Sequence, residues 1–294
     1  MIRFYIDQTD EYPRKGRMAR LASRRVVSHV AFSTTYAVNP AFRAFIALQA
    51  TQKSVASPVG QGTPTLFIHG PGCASSCDYP GVAAAPALAG HRMLLVDLLG
   101  YGFCDRPTDF AYTVENHAET IVALADHLSL SSLNLFGYSM GGAITIAAAR
   151  LLGKRVRHLV LGEPNLEPGG GFFSRKIAAP SEVEYVRTGH AELIAASAKD
   201  GDDIWAASML ASAPYAVHRS AVSLMEGSNP SWREQLYAMA MPRTVVFGER
   251  SLPDPDTERL PAGGVNVAVV ENAGHSMAWE NPAGLALAIR HGLG

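Results

Sequence analysis

The sequence predicts an α/β fold in which a mostly parallel central sheet is covered by helices on both faces. Short apolar runs of strand length alternate with amphipathic helical patterns along most of the 294-residue chain. This alternation requires right-handed crossovers, which place helices on both faces of a parallel sheet. Ligands of such sheets bind at the carboxyl ends of the strands, where the polar motifs of this chain are also expected.

The individual elements follow from local patterns. Buried strands are predicted from apolar runs at residues 65–68, 92–98, 132–136, 156–161, 244–247 and 265–270. Two further short strands are predicted at residues 33–37 and 43–50. Helices are predicted near residues 82–88, at 113–128 and 143–152, and after Asn281-Pro282. In the helix at 113–128, Thr113 is the expected N-cap and the apolar residues fall on one face.

Two segments interrupt the alternation of strands and helices. Residues 1–32 are rich in arginine and have no apolar period, so we expect a basic and poorly ordered N-terminal extension. Residues 164–232 contain several helical patterns and no good strand pattern. Their position between two sheet strands predicts a helical lid, inserted into a core that consists of residues 33–163 and 233–294.

Composition restricts the partners and the compartment. The formal net charge of −1 gives no indication of a nucleic-acid partner. Three cysteines, an odd number, favour reduced thiols, and we therefore expect a cytoplasmic protein. Cys73 and Cys77 have no matching Cys or His pair nearby, so we expect no zinc site and no other metal. No organic cofactor is indicated either.

The longest stretch without a charge, residues 128–149, is long enough to cross a bilayer. It nevertheless contains Asn134 and several serines and glycines, and a turn near residue 139 breaks it. A buried strand, turn and helix explains this stretch better than a membrane span.

The most informative motif is the run Gly137-Tyr138-Ser139-Met140-Gly141, between a predicted strand and a predicted helix. A G-x-S-x-G run in this context predicts a sharp turn that lifts the serine hydroxyl out of the sheet. Glycine is needed on both sides because a Cβ would clash with the tight backbone. The helix N-terminus adds positive potential and free amides where an oxyanion would form. Ser139 is therefore the candidate nucleophile.

A general base must come from the same edge of the sheet as the serine. His275 follows the last predicted strand, which places it on a loop at that edge. We therefore expect His275, among the ten histidines of the chain, to act as the base.

A second backbone amide for the oxyanion is expected from the turn at residues 69–72, which follows the first long buried strand. The first amide would come from Met140, just after the serine. Pro71 has no N–H, so the second would come from Gly72 or Cys73. His69 is better explained as a residue that ties down its loop than as a catalytic one.

In order and spacing, these motifs resemble those of the α/β-hydrolase family. They are H-G-P-G after one strand, D-L-L-G-Y-G-F-C-D-R-P after the next, G-Y-S-M-G-G, a lid and N-A-G-H-S, and they cover residues 65–294. The resemblance implies Ser139 as the nucleophile and His275 as the base. A serine here is unlike the aspartate that the dehalogenases and epoxide hydrolases of the family carry at this position.

A nucleophilic serine and a histidine base are completed by a carboxylate that orients the histidine, and together they form a catalytic triad. For this carboxylate the sequence offers two candidates. Most of the family places an aspartate in a G-x-x-D pattern after the penultimate strand, where this sequence has Ser251. Asp254 lies three residues further on. Glu163 directly follows the strand at 156–161, where some branches of the family, including haloalkane dehalogenases, place their acid. We favour Glu163 because it lies at a strand end close to where His275 should arrive, with Asp254 as the alternative.

These residues predict a serine hydrolase that cleaves an ester, lactone or similar small acyl substrate through an acyl-enzyme. Acyl transfer, carbon–carbon bond hydrolysis and a cofactor-free haloperoxidase-like reaction would use the same residues and remain open. A non-catalytic ligand-binding protein of the same fold is the alternative outside enzymes. Tyr138, Phe172 and Trp205 are predicted to line an apolar substrate pocket.

Overall fold

A single twisted sheet forms the centre of the structure. The computed structural model describes residues 27–31, 43–48 and 62–294. The described strands are β1 Val27–Ala31, β2 Arg43–Leu48, β3 Thr65–Ile68, β4 Met93–Val96, β5 Leu133–Tyr138, β6 Val156–Gly162, β7 Arg243–Gly248 and β8 Asn266–Val270. Their order across the sheet is β1-β2-β4-β3-β5-β6-β7-β8.

Most neighbouring strands of the sheet are parallel. β2 runs antiparallel to β1 and to β4, whereas all the pairs from β4 to β8 are parallel. β5 lies between β3 and β6, with Phe136 opposite Phe67 on one side and Val160 on the other. The carboxyl ends of β3, β5, β6 and β7 therefore meet at one edge, where ligands of α/β sheets bind.

Helices cover both faces of this sheet. They are α1 Ser75–Asp78, α2 Pro80–Ala83, α3 Val114–His127, α4 Met140–Leu152, α5 Phe172–Ala178, α6 Glu182–Glu184, α7 His190–Lys199, α8 Asp203–Leu210, α9 Pro214–Glu226, α10 Trp232–Tyr237, α11 Asp256–Ala262, α12 Met277–Glu280 and α13 Pro282–Gly292. The two faces are separate apolar layers. Leu135 of β5 packs in the layer that contains α3 and α4, whereas its neighbour Phe136 packs in the layer that contains α2 and α13.

The sheet and its flanking helices confirm the predicted fold class. The predicted strand at residues 33–37 lies outside the described residues, as do residues 1–26 of the expected extension. Within that expected extension, Val27–Ala31 forms β1 and pairs with β2 over five positions. The sheet therefore begins before the predicted core boundary at residue 33.

The helix predicted near residues 82–88 does not form as one element. α2 ends at Ala83, and a separate turn of 3₁₀-helix covers Pro86–Leu88. Pro86 explains the break, because proline has no N–H for the helical hydrogen bond and its ring clashes with the preceding turn.

Residues 164–232, hereafter the insertion, connect β6 to β7 and contain α5 to α9 without a strand. These helices agree with the several helical patterns that the sequence shows in this segment. Tyr101 of the core holds the insertion through its hydroxyl, which lies 3.0 Å from Ser220 Oγ and 3.3 Å from the Ala216 carbonyl oxygen. Both partners lie on α9, so Tyr101 anchors this helix to the core.

No helix in the described part of the chain is long and apolar enough to cross a membrane. The uncharged stretch at residues 128–149 contains β5, the serine turn and most of α4. This is the strand, turn and helix that its polar residues and glycines predict.

The packing of α4 against the end of β3 depends on the absence of a side chain at Gly141. A Cβ at this position would lie 2.4 Å from the carbonyl oxygen of His69 and 2.5 Å from that of Ile68. Because both neighbours are backbone atoms, we expect Gly141→Ala to lower the free energy of unfolding by about 2–4 kcal/mol. Chemical denaturation followed by circular dichroism measures this change.

Gly81→Ala is the matched control for this experiment. The nearest atom to a Cβ at Gly81 is Pro282 Cβ at 3.7 Å, an ordinary van der Waals contact. We expect this variant to stay within about 0.5 kcal/mol of the wild type. Equal stability of the two variants would contradict the close approach at Gly141.

Candidate active site

Ser139 occupies a sharp turn between β5 and α4. Its backbone has φ 53° and ψ −119°, a conformation that residues with a side chain rarely adopt. Three hydrogen bonds hold the turn: the Ser139 amide donates to the Gly162 carbonyl oxygen, and the Ser139 carbonyl oxygen accepts from Gly142 and Asn165. Strain at a residue held in this way is typical of functional positions. The predicted serine turn is therefore present in the structure.

His275 and Glu163 meet at the same edge of the sheet. His275 Nδ1 lies 2.5 Å from Glu163 Oε2. The other carboxylate oxygen, Oε1, accepts the Gly248 amide at 2.8 Å. Glu163 follows β6 directly and Gly248 ends β7, so two adjacent strands fix the position of the carboxylate.

The hydrogen bonds of Glu163 keep its carboxylate ionised. Burial by itself would raise the pKa of Glu163, but donors from His275, Gly248 and Ser251 outweigh it and lower the pKa below its ordinary value. Ser251 occupies the position at which the G-x-x-D pattern would place an aspartate. In this chain its side chain instead hydrogen-bonds to the carboxylate that contacts His275.

The alternative carboxylate, Asp254, has a different local role. Its Oδ1 accepts the Asp256 amide at 2.8 Å, and its carbonyl oxygen accepts the hydroxyl of Thr257 at 2.7 Å. These bonds organise the start of α11. Of the two candidate acids, Glu163 is the one that the structure places against His275.

Tyr138 makes a contact that sequence reasoning missed. Its hydroxyl donates a hydrogen bond to the backbone carbonyl oxygen of His275. The two rings also lie against each other, with centroids 4.9 Å apart. The residue before the serine thus contacts the loop that carries the histidine. The only sequence signal is an aromatic residue at this position, which equally predicts a pocket wall.

His69 ties its loop to the neighbouring strand, as expected from the sequence. Its Nε2 accepts the Leu98 amide at 3.0 Å, so the proton is on Nδ1, which donates to the Gly70 carbonyl oxygen at 2.8 Å. Burial lowers the pKa of His69 to about 4, so the ring is neutral at pH 7. A neutral, fully bonded imidazole in this place holds the backbone and leaves no lone pair for chemistry.

Helix α8 of the insertion holds the loop after His69. Trp205 Nε1 on α8 donates to the Pro71 carbonyl oxygen at 2.9 Å. Gly72 has φ +69°, and a Cβ there would overlap the side chain of Met209 on the same helix. The Cys73 amide donates to the Gly70 carbonyl oxygen at 3.3 Å and closes a turn. A backbone group of Pro71 and one of Cys73 are therefore each held by a hydrogen bond.

A cavity of about 500 Å³ lies at this edge of the sheet, between core and insertion. Ser139, His275 and Glu163 line it together. The side chains predicted for the pocket, Tyr138, Phe172 and Trp205, line it as well, and so does Cys73. Met140, whose amide follows the serine, is fully buried at the start of α4. The structure thus brings the sequence-predicted side chains to one cavity.

Asp78 is a cavity residue that sequence reasoning missed. Its side chain is only 8% exposed, and its Oδ1 accepts the Trp279 indole N–H at 3.2 Å. The Cys73 thiol hydrogen-bonds to the same carboxylate. Burial is the main cause that raises the pKa of Asp78, to about 6. No motif marks this residue, because it ends a helix of four residues that the sequence does not predict.

Comparison with known proteins agrees with this fold. A family model for the alpha/beta hydrolase fold matches residues 63–190. A 2-hydroxy-6-oxo-2,4-heptadienoate hydrolase of Pseudomonas putida is 37% identical over 111 residues, which are 35% of this chain and 38% of the relative. Haloalkane dehalogenase 2 of Mycobacterium tuberculosis is 34% identical over 130 residues, 43% of this chain and 44% of the relative. The chain thus aligns with less than half the length of these curated relatives.

Solved structures match over a much longer part of the chain. An esterase from Thermogutta terrifontis has a TM-score of 0.66 at 23% identity, over 92% of this chain and 97% of that one. An enol-lactonase from Burkholderia xenovorans has a TM-score of 0.68 at 17% identity, over 86% and 96% respectively. At such identities the likeness shows the fold. Together with the family-model match over residues 63–190, it shows that the chain has the α/β-hydrolase fold.

The raised pKa of Asp78 predicts a pH-dependent stability. An acid whose pKa is about 6 when folded and about 3.8 when unfolded binds more protons in the folded state between these values. Its contribution to stability is therefore present below pH 3.8 and is lost as the pH rises through 6. Asp78→Asn lacks this loss. We therefore expect its unfolding free energy, relative to that of the wild type, to be about 1 kcal/mol more favourable at pH 8 than at pH 5.

Urea unfolding at the two pH values measures this difference. Asp200→Asn, at an exposed position away from the cavity, controls for the change in net charge. A stability difference between wild type and Asp78→Asn that stays constant from pH 5 to pH 8 would contradict the buried, ionisable carboxylate.

Proposed function

We propose that the protein is a serine hydrolase that cleaves an ester, lactone or similar small acyl substrate through an acyl-enzyme on Ser139. In this proposal His275 is the general base and Glu163 is the acid of the triad. The observation that carries the proposal is the 2.5 Å hydrogen bond between His275 and Glu163 beside a cavity that Ser139 also lines. A serine in a strained turn, a histidine and a carboxylate at one edge of the sheet are the parts that acyl transfer to serine requires.

The ionised state of Glu163 determines how His275 would act. A carboxylate accepts hydrogen bonds only, so His275 Nδ1 carries a proton and Nε2 has a free lone pair. Nε2 can then take the proton of the Ser139 hydroxyl as the serine oxygen attacks the substrate carbonyl carbon. The negative charge of Glu163 stabilises the imidazolium that forms, and the imidazolium returns its proton to the leaving group. Water then repeats these steps to release the acyl group.

Two backbone amides would bind the negative oxygen of the tetrahedral intermediate. The first is the amide of Met140, because the first amides of a helix have no partner within the helix. For the second, Pro71 has no N–H and the Cys73 amide already donates to Gly70. We therefore assign the second amide to Gly72, whose neighbour Pro71 is held by Trp205.

The comparisons support hydrolase chemistry in general rather than one substrate. The curated relatives are named as hydrolases and haloalkane dehalogenases, and the similar structures include an esterase and an enol-lactonase. The serine at position 139 favours the esterase-like members over the dehalogenases, in line with the sequence motif.

Carbon–carbon bond hydrolysis is the second candidate function. Relatives named 2-hydroxy-6-oxo-2,4-heptadienoate hydrolase and 2-hydroxymuconate semialdehyde hydrolase, at 37% and 34% identity, favour it. A dienoate, however, carries a carboxylate. The described residues that line the cavity include neither Lys nor Arg to pair with it. A neutral ester or lactone needs no such partner, so we place ester or lactone cleavage first.

Labelling with a fluorophosphonate tests the nucleophile directly. We expect the probe to modify Ser139 rapidly, because the reaction needs a serine that a histidine activates. Intact mass and peptide mapping identify the modified residue. Ser139→Ala should keep its fold and lose both labelling and ester hydrolysis, with a loss of about 1,000-fold or more in kcat.

His275→Ala is the control that separates activation from simple exposure of a serine. We expect this variant to be labelled very slowly although Ser139 is present. Ester hydrolysis at the wild-type rate in Ser139→Ala would exclude the acyl-enzyme. A folded wild type that binds esters tightly without labelling or turnover would instead indicate a ligand-binding protein.

The choice of acid predicts unequal effects of two conservative substitutions. Glu163→Gln removes the negative charge beside His275 and should lower kcat by about 100-fold or more. Asp254→Asn alters a bond at the start of α11 and should change kcat by less than about threefold. Steady-state kinetics with a p-nitrophenyl ester measures both. The reverse ranking would assign the acid to Asp254.

A further inference from the structure

Asp78 is a buried carboxylate that has only neutral partners. Its side chain is 8% exposed and lines the same cavity as Ser139 and His275. Its carboxylate accepts hydrogen bonds from the indole N–H of Trp279, the thiol of Cys73 and the backbone N–H of Ala74. None of these donors carries a positive charge, so no hydrogen-bond partner neutralises the ionised carboxylate.

The other carboxylates of the cavity bond to the proposed catalytic histidine, to an arginine or to backbone amides at helix starts. Glu163 hydrogen-bonds to the histidine of the triad, and Asp256 lies 3.0 Å from Arg233. Asp202 and Asp254 accept backbone amides at the starts of α8 and α11. Asp78 therefore differs from its neighbours. Buried charges in proteins are ordinarily paired, because an unpaired charge loses its hydration without compensation.

The surroundings of Asp78 suit a positive charge on a ligand. The aromatic side chains that line the cavity include Trp205 and Trp279. The faces of such rings attract ammonium groups, and the attraction grows when the cation leaves water. The described residues of the lining include no Lys or Arg that would compete for the carboxylate.

We propose that Asp78 binds a cationic group of the substrate and so makes the cavity selective for acyl substrates that carry an ammonium group. The inference rests on the proposed function, since it names the substrate class of the same site. The chemistry at Ser139 is unchanged, and Asp78 acts only through the affinity for the charged end of the substrate.

Three p-nitrophenyl esters of similar shape and different charge provide the test. The acyl groups are 4-(trimethylammonio)butanoate, its neutral isostere 5,5-dimethylhexanoate, and the anionic hemiglutarate. We measure kcat/KM for each at pH 8, above the pKa of about 6 that burial gives Asp78. The wild type should prefer the cationic ester over its neutral isostere by about tenfold or more, and hemiglutarate should be the poorest substrate.

Asp78→Asn keeps the shape of the side chain and removes its charge. We expect this variant to lose the preference for the cationic ester, so that the ratio of the two kcat/KM values falls by about tenfold, mainly through KM. Asp200→Asn, an exposed aspartate outside the cavity, should leave the ratio unchanged. Asp78→Ser serves as a second variant should Asp78→Asn not fold. A wild type without this preference, or a ratio unchanged in the folded Asp78 variant, overturns the proposal.

A binding experiment separates this inference from the proposed hydrolase function. In Ser139→Ala the esters remain intact, and calorimetry gives their dissociation constants with and without Asp78→Asn. A preference for the cationic ester that depends on Asp78 supports the cation site even if the wild type hydrolyses none of the esters. Conversely, hydrolysis of all three esters without a charge preference supports the proposed hydrolase function and contradicts the proposed cation site at Asp78.

Discussion

The close approach of the N-terminus of α4 to the ends of β3 and β6 is the constraint on which the site depends. Gly141 packs directly on the carbonyl oxygens of Ile68 and His69, and the Ser139 amide bonds to Gly162. These contacts hold the serine in a conformation with positive φ and also bring the loop after β3 and the residue after β6 to it. Glu163 has a positive φ as well, so two adjacent strand ends carry backbone strain that the surrounding sheet supports.

Two carboxylates in one cavity have opposite shifts in pKa, and the reason is the balance between burial and the groups around each of them. Burial disfavours the charged form of both. Glu163 receives hydrogen bonds from His275, Gly248 and Ser251, which outweigh this effect. Asp78 receives hydrogen bonds from Trp279, Cys73 and the backbone of Ala74, which do not outweigh its burial, and the nearby charge of Asp97 raises its pKa further.

The fold could be predicted from the sequence because buried parallel strands are short apolar runs and each polar motif follows one of them. Ser139, His275 and Glu163 could be selected for the same reason, since a residue just after a strand has a known place in such a sheet. Contacts between distant segments could not be read in this way. Tyr138 reaches the carbonyl of His275, and Trp205 reaches that of Pro71, but neither partner leaves a periodic or local signal. Asp78 could not be predicted as a cavity residue, because its short helix follows from tertiary packing rather than from helix propensity.

The bond from Trp205 to the Pro71 carbonyl makes the insertion a support for the loop beside Gly72 rather than only a cover. Segments of this kind are attractive to exchange when an enzyme is to be given new substrates. In this chain such a graft would also remove the donor that holds the loop beside Gly72. A chimera that keeps the core and replaces the insertion must therefore retain an N–H donor at this point. Under the proposed function, the loss of this one indole would otherwise change the rate along with the specificity.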